Sequence, residues 1–388
     1  MTDQETLYMM ALTQVPSLSL ANLHLLVGEL GSASSVHENR KDLRQLLPAA
    51  HQKTLDALAA LDSHLGRAEE ELEFCRRGKV QCLGLCDEDY PQRLKDCPDA
   101  PVLLYWRGTA SLNAPHIVSM VGTRQATSYG KDLCRTFIHD LKRLCPDALV
   151  VSGLAYGVDV QCHRAALDEG MDTVGVLAHG LDQIYPRLHR ETAKQMASAG
   201  GLLTEYMSHT PIDKRNFVQR NRIVAGMADA VVVVESAARG GSLITADIAQ
   251  SYNRQVWAFP GRIFDNSSAG CNRLISSNSA SLLTGAEDFC LAVGWTDDMQ
   301  HRRQLSQGIQ QELFADNFSA DEQLILQALA RDDSKQINVL AVETNLPVGQ
   351  ISSLLFSLEM KGTVQALVGG KYKLARQAQK ETTAKTKK

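Results

Sequence analysis

The sequence has no run of 18 or more apolar residues, and its first ten residues, MTDQETLYMM, hold neither a basic segment nor a small-residue cleavage site. The expectation is a cytoplasmic protein, neither spanning a membrane nor exported. The nine cysteines, at positions 75, 82, 86, 97, 134, 145, 162, 271 and 290, include no CxxC pair, which argues against a disulfide framework or a zinc module and for small buried thiols. No G-x-G-x-x-G, no GK[ST] phosphate loop and no G-x-S-x-G elbow occurs, so dinucleotide binding, P-loop hydrolysis and serine hydrolase chemistry lack their signatures. Excess basic charge is missing too: 40 Lys and Arg face 44 Asp and Glu, for a net charge of −4. A nucleic-acid partner would have to be held by a local basic patch.

What is present is a chain of 388 residues, 44% apolar and 22% charged, long enough for two or three domains with real cores. Residues 1–80 read as a small helical module, because LYMMALTQV, LSLANLHLLVGEL, LRQLLPAAH and HQKTLDALAALDSHLGRAEEELEFC repeat apolar residues every three or four positions, with a turn at GSASS. The prolines of YPQRLKDCPDAPVLLYWRG suggest an extended lead-in. Within 81–294, six short apolar runs (HIVSMVG, ALVVSG, DTVGVLAHG, GLLTEY, DAVVVVES and QVWAFPG) alternate with helical patterns. That alternation predicts βαβ units and an α/β, Rossmann-like doubly wound parallel sheet. Residues 295–319 read as a polar linker. Residues 320–375 give three helices and a hairpin turning at Gly369 and Gly370, the pattern of a winged helix, and the lysine-rich 376–388 reads as a disordered tail.

In such a sheet, ligands bind where loops leave the carboxyl ends of the strands and helix N-termini offer free amides. The first of these loops holds Gly122, Thr123 and Arg124, with Ser128 at the next helix start. The second holds Ser152 and Gly153, the third Tyr185 and Arg187, and Gly240, Gly241 and Ser242 open a later helix. The segment KRNFVQRNRIVAG places Lys214, Phe217, Arg220, Asn221 and Arg222 at the same edge. Arginines fork onto phosphates and aromatics stack on bases, so these positions are the candidate site for single-stranded DNA, in preference to a solvated helix face. No catalytic constellation, cofactor site or metal site is assigned. His163, four residues after Asp159, fits a structural hydrogen bond better than an acid/base pair. Glu205 and Glu235 fit roles binding amides or pairing with Arg220 or Arg222. His179 and His189 lack metal-ligand spacing. The third winged-helix segment, with Gln350, Ser352, Ser353, Ser357 and Lys361 against Glu359, is weakly charged for a major-groove reader.

The strings VGTRQATSYG, SGLAYGVDVQCHRAAL, LAHGLDQIYPRLH, NFVQRNRIVAGMADAVVVVESAARGGSLITADIA and VWAFPG resemble the ordered signature blocks of the DNA-processing protein A family (DprA, also called Smf). The resemblance covers about residues 88–290, and the flanking modules look like the family's SAM-like and winged-helix additions. It implies a non-catalytic single-stranded-DNA-binding protein that protects incoming DNA in natural transformation, loads the RecA recombinase, and dimerises through the Rossmann-like domain. The family's basic positions fall on Arg124, Arg187 and the Arg220, Asn221, Arg222 block, while Tyr156 stands where the family is often basic and Arg187 replaces a frequent lysine. Two alternatives are a recombinase adaptor working through the winged helix and a nucleotide phosphoribohydrolase. The second is disfavoured because ARGGSLITAD carries Ala246 and Asp247 where related hydrolases place a glutamate.

Overall fold

The computed structural model describes residues 1–16, 18–296, 318–330, 334–361, 363–367 and 371–374. Residues 297–317 of the expected linker, the turn at Gly369 and Gly370, and the basic tail lie outside the described residues. The chain divides into two compact units, Met1–Trp295 and Thr296–Lys388.

The first unit is built on a nine-stranded sheet of β1 (Gln81–Gly84), β2 (Leu103–Gly108), β3 (His116–Val121), β4 (Ala148–Ser152), β5 (Thr173–Val176), β6 (Gly200–Thr204), β7 (Ala230–Val233), β8 (Gln255–Ala258) and β9 (Ser281–Leu282). The order is β1-β2-β6-β5-β4-β3-β7-β8-β9. The six apolar runs form β3 to β8, all parallel, while β1 and β2 add an antiparallel edge. Alternation along the strands feeds two cores. Ile117, Val121, Val151, Val231 and Val233 pack with Ile223, Val224 and Leu243 on one face. Val118, Met120, Val150 and Val232 pack with Phe137, Ile138, Cys162 and Phe289 on the other. Burial on both faces explains why these strands read as continuous apolar runs.

The N-terminal helices Asp3–Thr13, Leu20–Leu30 and Leu65–Gly78 share a core with β2, where Met10, Leu12, Leu26 and Leu58 meet Leu103 and Tyr105. Three expectations here need correction. LRQLLPAAH forms turns rather than a helix, because Pro48 interrupts it, although Leu43 and Leu47 are buried. Residues 33–35 of GSASS are already helical, since Ser32 caps Ala33–Glu38. The long pattern from His51 to Cys75 is split by a 3-10 turn at Leu61–His64. Seven of the nine cysteines are buried and all are free.

In the second unit, helices Ala320–Leu329, Ile337–Thr344 and Val348–Met360 close around Ile325, Leu340, Ile351, Leu355 and Leu358. The short β10 (Lys335–Gln336) joins β12 (Lys371–Leu374) and β11 (Val364–Leu367) in a three-stranded ribbon, giving a winged helix. Its first helix is opened by a reciprocal cap between Ser319 and Glu322.

Candidate nucleic-acid interface

Strand β3 pairs with β4 on one side and β7 on the other. The chain winds outward in both directions from this pair, which leaves a crevice at the carboxyl ends where loops diverge. The loop after β3 is fastened from both sides. Thr123 donates its backbone N–H to Glu235 O (2.7 Å), and the Glu235 carboxylate accepts from the Thr127 N–H (2.9 Å) and hydroxyl (2.7 Å). From the β4 side, the Val158 N–H donates to Thr123 O (3.1 Å). This approach requires Gly157, whose φ is +78° and whose place a Cβ would make collide with the Thr123 carbonyl and the Arg124 backbone.

The backbone of Arg124 is thus held while its side chain is exposed, the guanidinium lying 5.4 Å from the centroid of the Phe217 ring. Phe217 in turn meets Tyr185 edge-on, with centroids 5.8 Å apart and planes at 66°. Three segments distant in sequence therefore converge on one cation and two rings. Arg187, in the short 3-10 turn Arg187–His189, and Lys214, at the start of helix Lys214–Gly226, are exposed on the same loops. Among the described residues none of Arg124, Arg187 and Lys214 has an ion-pair partner.

Buried histidines stiffen these loops. The His179 ring accepts from the Tyr185 N–H at Nε2 (3.2 Å), so Nδ1 carries the proton donated to Gly180 O (2.9 Å). His189 Nδ1 bonds Leu154 O at 2.9 Å, and the exposed Tyr156 packs edge-on against its ring at 5.0 Å. His163 bonds Thr173 Oγ1 (2.7 Å) and Gly153 O (2.5 Å), consistent with a structural role and not with a pair to Asp159. Burial lowers its pKa to about 4.

Five expected contact residues sit elsewhere than on the surface. Arg220 and Arg222 are 4% and 5% exposed. Arg220 donates to Val176 O (2.5 Å) and is attracted to Asp159, whose carboxyl is pushed up by burial against that attraction. Arg222 donates to Asp99 O (2.5 Å) and pairs with Glu205. The Nε atoms of both arginines are buried without a partner. As positioned, neither is free to take a phosphate, because helix Lys214–Gly226 turns its later residues toward the sheet. Ser152 is buried and donates to Met120 O (2.6 Å); Ser242 is buried and donates to Ser236 Oγ (2.9 Å). Gly153 is buried as well, and it lacks a Cβ where one would strike both the Arg220 guanidinium and the Asp159 carboxylate. At Gly122 a Cβ would strike Val158 and Glu235 O, so that glycine serves packing and not ligand approach.

Asn221 is half-buried, whereas Ser128 and Gly241 are exposed, Gly241 opening helix Gly241–Ser251 behind a Gly240 that provides no side-chain cap. Thr127, a further residue of the site, stands just before an apolar-periodic run, which is a helix-start signal; it caps Gly130 and holds Glu235. Among the described residues, no group of three or more His, Cys, Asp or Glu is placed to hold a metal ion, and no single helix is long and apolar enough to cross a membrane. In the winged helix, Gln350 donates to Asp321, while Ser357 and Lys361 donate to Glu322. Those polar groups are bonded within their own unit.

Comparison with known proteins agrees with this architecture. Residues 81–294 match the family described as DNA recombination-mediator protein A, and residues 312–370 match the DprA winged helix domain. A putative DNA processing protein DprA of Mycobacterium tuberculosis is 31% identical, over 97% of this chain and 96% of its own length. The DNA processing protein DprA of Streptococcus pneumoniae is 36% identical over 58% of this chain and 76% of its own. The X-ray structure of the Streptococcus pneumoniae protein superposes with a TM-score of 0.64 at 29% identity, covering 75% of this chain and 98% of that one. The chain belongs to the DprA/Smf family of DNA-processing proteins.

Proposed function

We propose that the chain binds single-stranded DNA without sequence preference along the carboxyl edge of its sheet, and that it does so as a non-catalytic recombination mediator. In this reading it shields incoming DNA during transformation, acts as a homodimer and hands the strand to a RecA recombinase. The observation that carries the reading is the convergence of an exposed, unpaired Arg124 on Phe217 and Tyr185, with Arg187 and Lys214 on the adjoining segments. Guanidinium and ammonium groups take phosphates, and aromatic faces take any base. The family's description as a recombination mediator supports the recombinase step.

The test is a titration of single-stranded oligonucleotides at several salt concentrations. Arg124→Ala should weaken binding to all sequences alike and reduce the salt slope by roughly 0.7, the amount expected per phosphate contact on a single strand. Arg143→Ala, at the far end of helix Ser128–Leu144 near the amino edge of the sheet, should change neither. Equal effects of the two substitutions would refute the assignment.

A further inference from the structure

We propose that the loop between β8 and helix Ala269–Ser276 is a second stacking and phosphate-binding station for the same DNA strand, with Phe264 as the stacking ring and Arg262 and Arg239 as phosphate donors. This rests on the proposed binding of single-stranded DNA and extends it across the sheet.

The loop's base is tightly held. Asn272 exchanges two hydrogen bonds with Gly261, each of 3.1 Å, the Tyr129 hydroxyl donates to Pro260 O (2.7 Å), and the Gly270 N–H donates to Ser236 O (2.8 Å). Two successive turns follow, with the Asp265 N–H bonded to Arg262 O and the Ser268 N–H to Asp265 O. On this fixed base Ile263 is 85% exposed and Phe264 94%. Exposing a phenylalanine so fully gives up the burial that normally repays it, whereas holding it in a fastened turn lowers the entropy lost when something packs against it.

Sheet order supplies the occupant. Read across the carboxyl edge, β5 contributes Tyr185 and Arg187, β4 Tyr156, β3 Arg124, β7 Arg239 and β8 Arg262 with Phe264. Four strand spacings of about 4.8 Å separate β5 from β8, roughly 19 Å of edge. Aromatics and arginines therefore recur along one line, as a single strand of stacked bases and phosphates requires. Among the described residues Arg239 and Arg262, both exposed, have no ion-pair partner. Asp265 is the one acidic side chain of the loop, and it follows Phe264 on the next turn.

The experiment uses the full chain with oligodeoxythymidylate and with an abasic strand of equal length. Phe264→Ala should weaken the thymidylate by about tenfold, the loss of one base–aromatic stack, and leave the abasic strand unchanged. Phe264→Trp should retain binding, and its added fluorescence should be quenched by the thymidylate alone. Arg262→Ala should weaken both strands and lower the salt slope. Unchanged thymidylate affinity in Phe264→Ala, while Arg124→Ala still weakens it, would overturn the station and leave the first site standing; failure of the unsubstituted chain to bind any strand would instead overturn the underlying reading. A Phe264→Ala protein that changes from dimer to monomer by light scattering, with the strand affinity intact, would identify a protein contact at the tip and refute the proposal.

Discussion

Arg124 and Arg220 show how the same side chain takes opposite roles according to where the backbone puts it. Arg124 is exposed on a pinned loop, while Arg220 lies under Gly153 with Asp159 beside it. Replacing Arg220 with alanine leaves a buried Asp159 without its cation and should cost on the order of 3 kcal/mol, read as a lower urea midpoint. Arg124→Ala should leave that midpoint in place. An Arg220→Ala protein of full stability would contradict the role given to the pair. His163 supplies a pH signature. Its folded pKa of about 4 lies below the ordinary 6.5, so the unfolded chain takes up a proton that the folded ring refuses, and stability falls as pH drops from about 6.5 toward 4. The full difference is about 3 kcal/mol. Asp159 and Glu205, whose carboxyls burial pushes up, oppose this in the lower part of the window. The comparison that isolates the ring is denaturation from pH 7 to pH 4 for the natural chain and for His163→Gln, which should show the shallower loss.

At the level of elements, the sequence allowed the six central strands and their crossover helices to be read, because burial on both faces writes itself as uninterrupted Val, Ile, Leu and Ala. It did not separate the two halves of helix Lys214–Gly226. Lys214 and Arg215 are exposed and Arg220 and Arg222 buried, yet nothing in the string KRNFVQRNR marks that change, which depends on Val176, Asp99 and Glu205 waiting on other elements. β2 falls within the expected extended lead-in, but β1 and the antiparallel pairing of β2 with β6 are not legible in the sequence, because β6 lies about a hundred residues further along and β2 borrows part of its core from the N-terminal helices. The loops of the candidate site were legible as small-residue clusters, and Thr127 as a helix-start signal, but the bonds of Thr127 to Glu235 and of the His179 ring to the Tyr185 backbone join segments that no spacing reveals. Gly157 is the sharpest test at this scale. Gly157→Ala should force the β4 and β3 loops apart, lower stability by more than about 1 kcal/mol, and weaken DNA binding although it removes no charge. Paired melting and binding measurements would check both, and an unaltered affinity would separate the loop contact from function.

On the scale of the whole molecule, the division into two units separates two sources of nucleic-acid contact. The first unit closes its own cores, and the second already bonds Gln350, Ser357 and Lys361 to its own Asp321 and Glu322. A chain ending at residue 296 should therefore fold and keep most of its affinity for single strands, checked by circular dichroism and anisotropy. Loss of all binding from a folded truncation would favour the winged helix as the working surface. The central claim is that the strand lies across the carboxyl edge of the sheet. Photo-crosslinking of a halogenated single-stranded oligonucleotide to the full chain, with the attached peptides read by mass spectrometry, tests it most directly. Adducts are expected on Tyr185 and Phe217; adducts confined to the winged helix, or to the amino edge near Arg143, would contradict that placement of the strand.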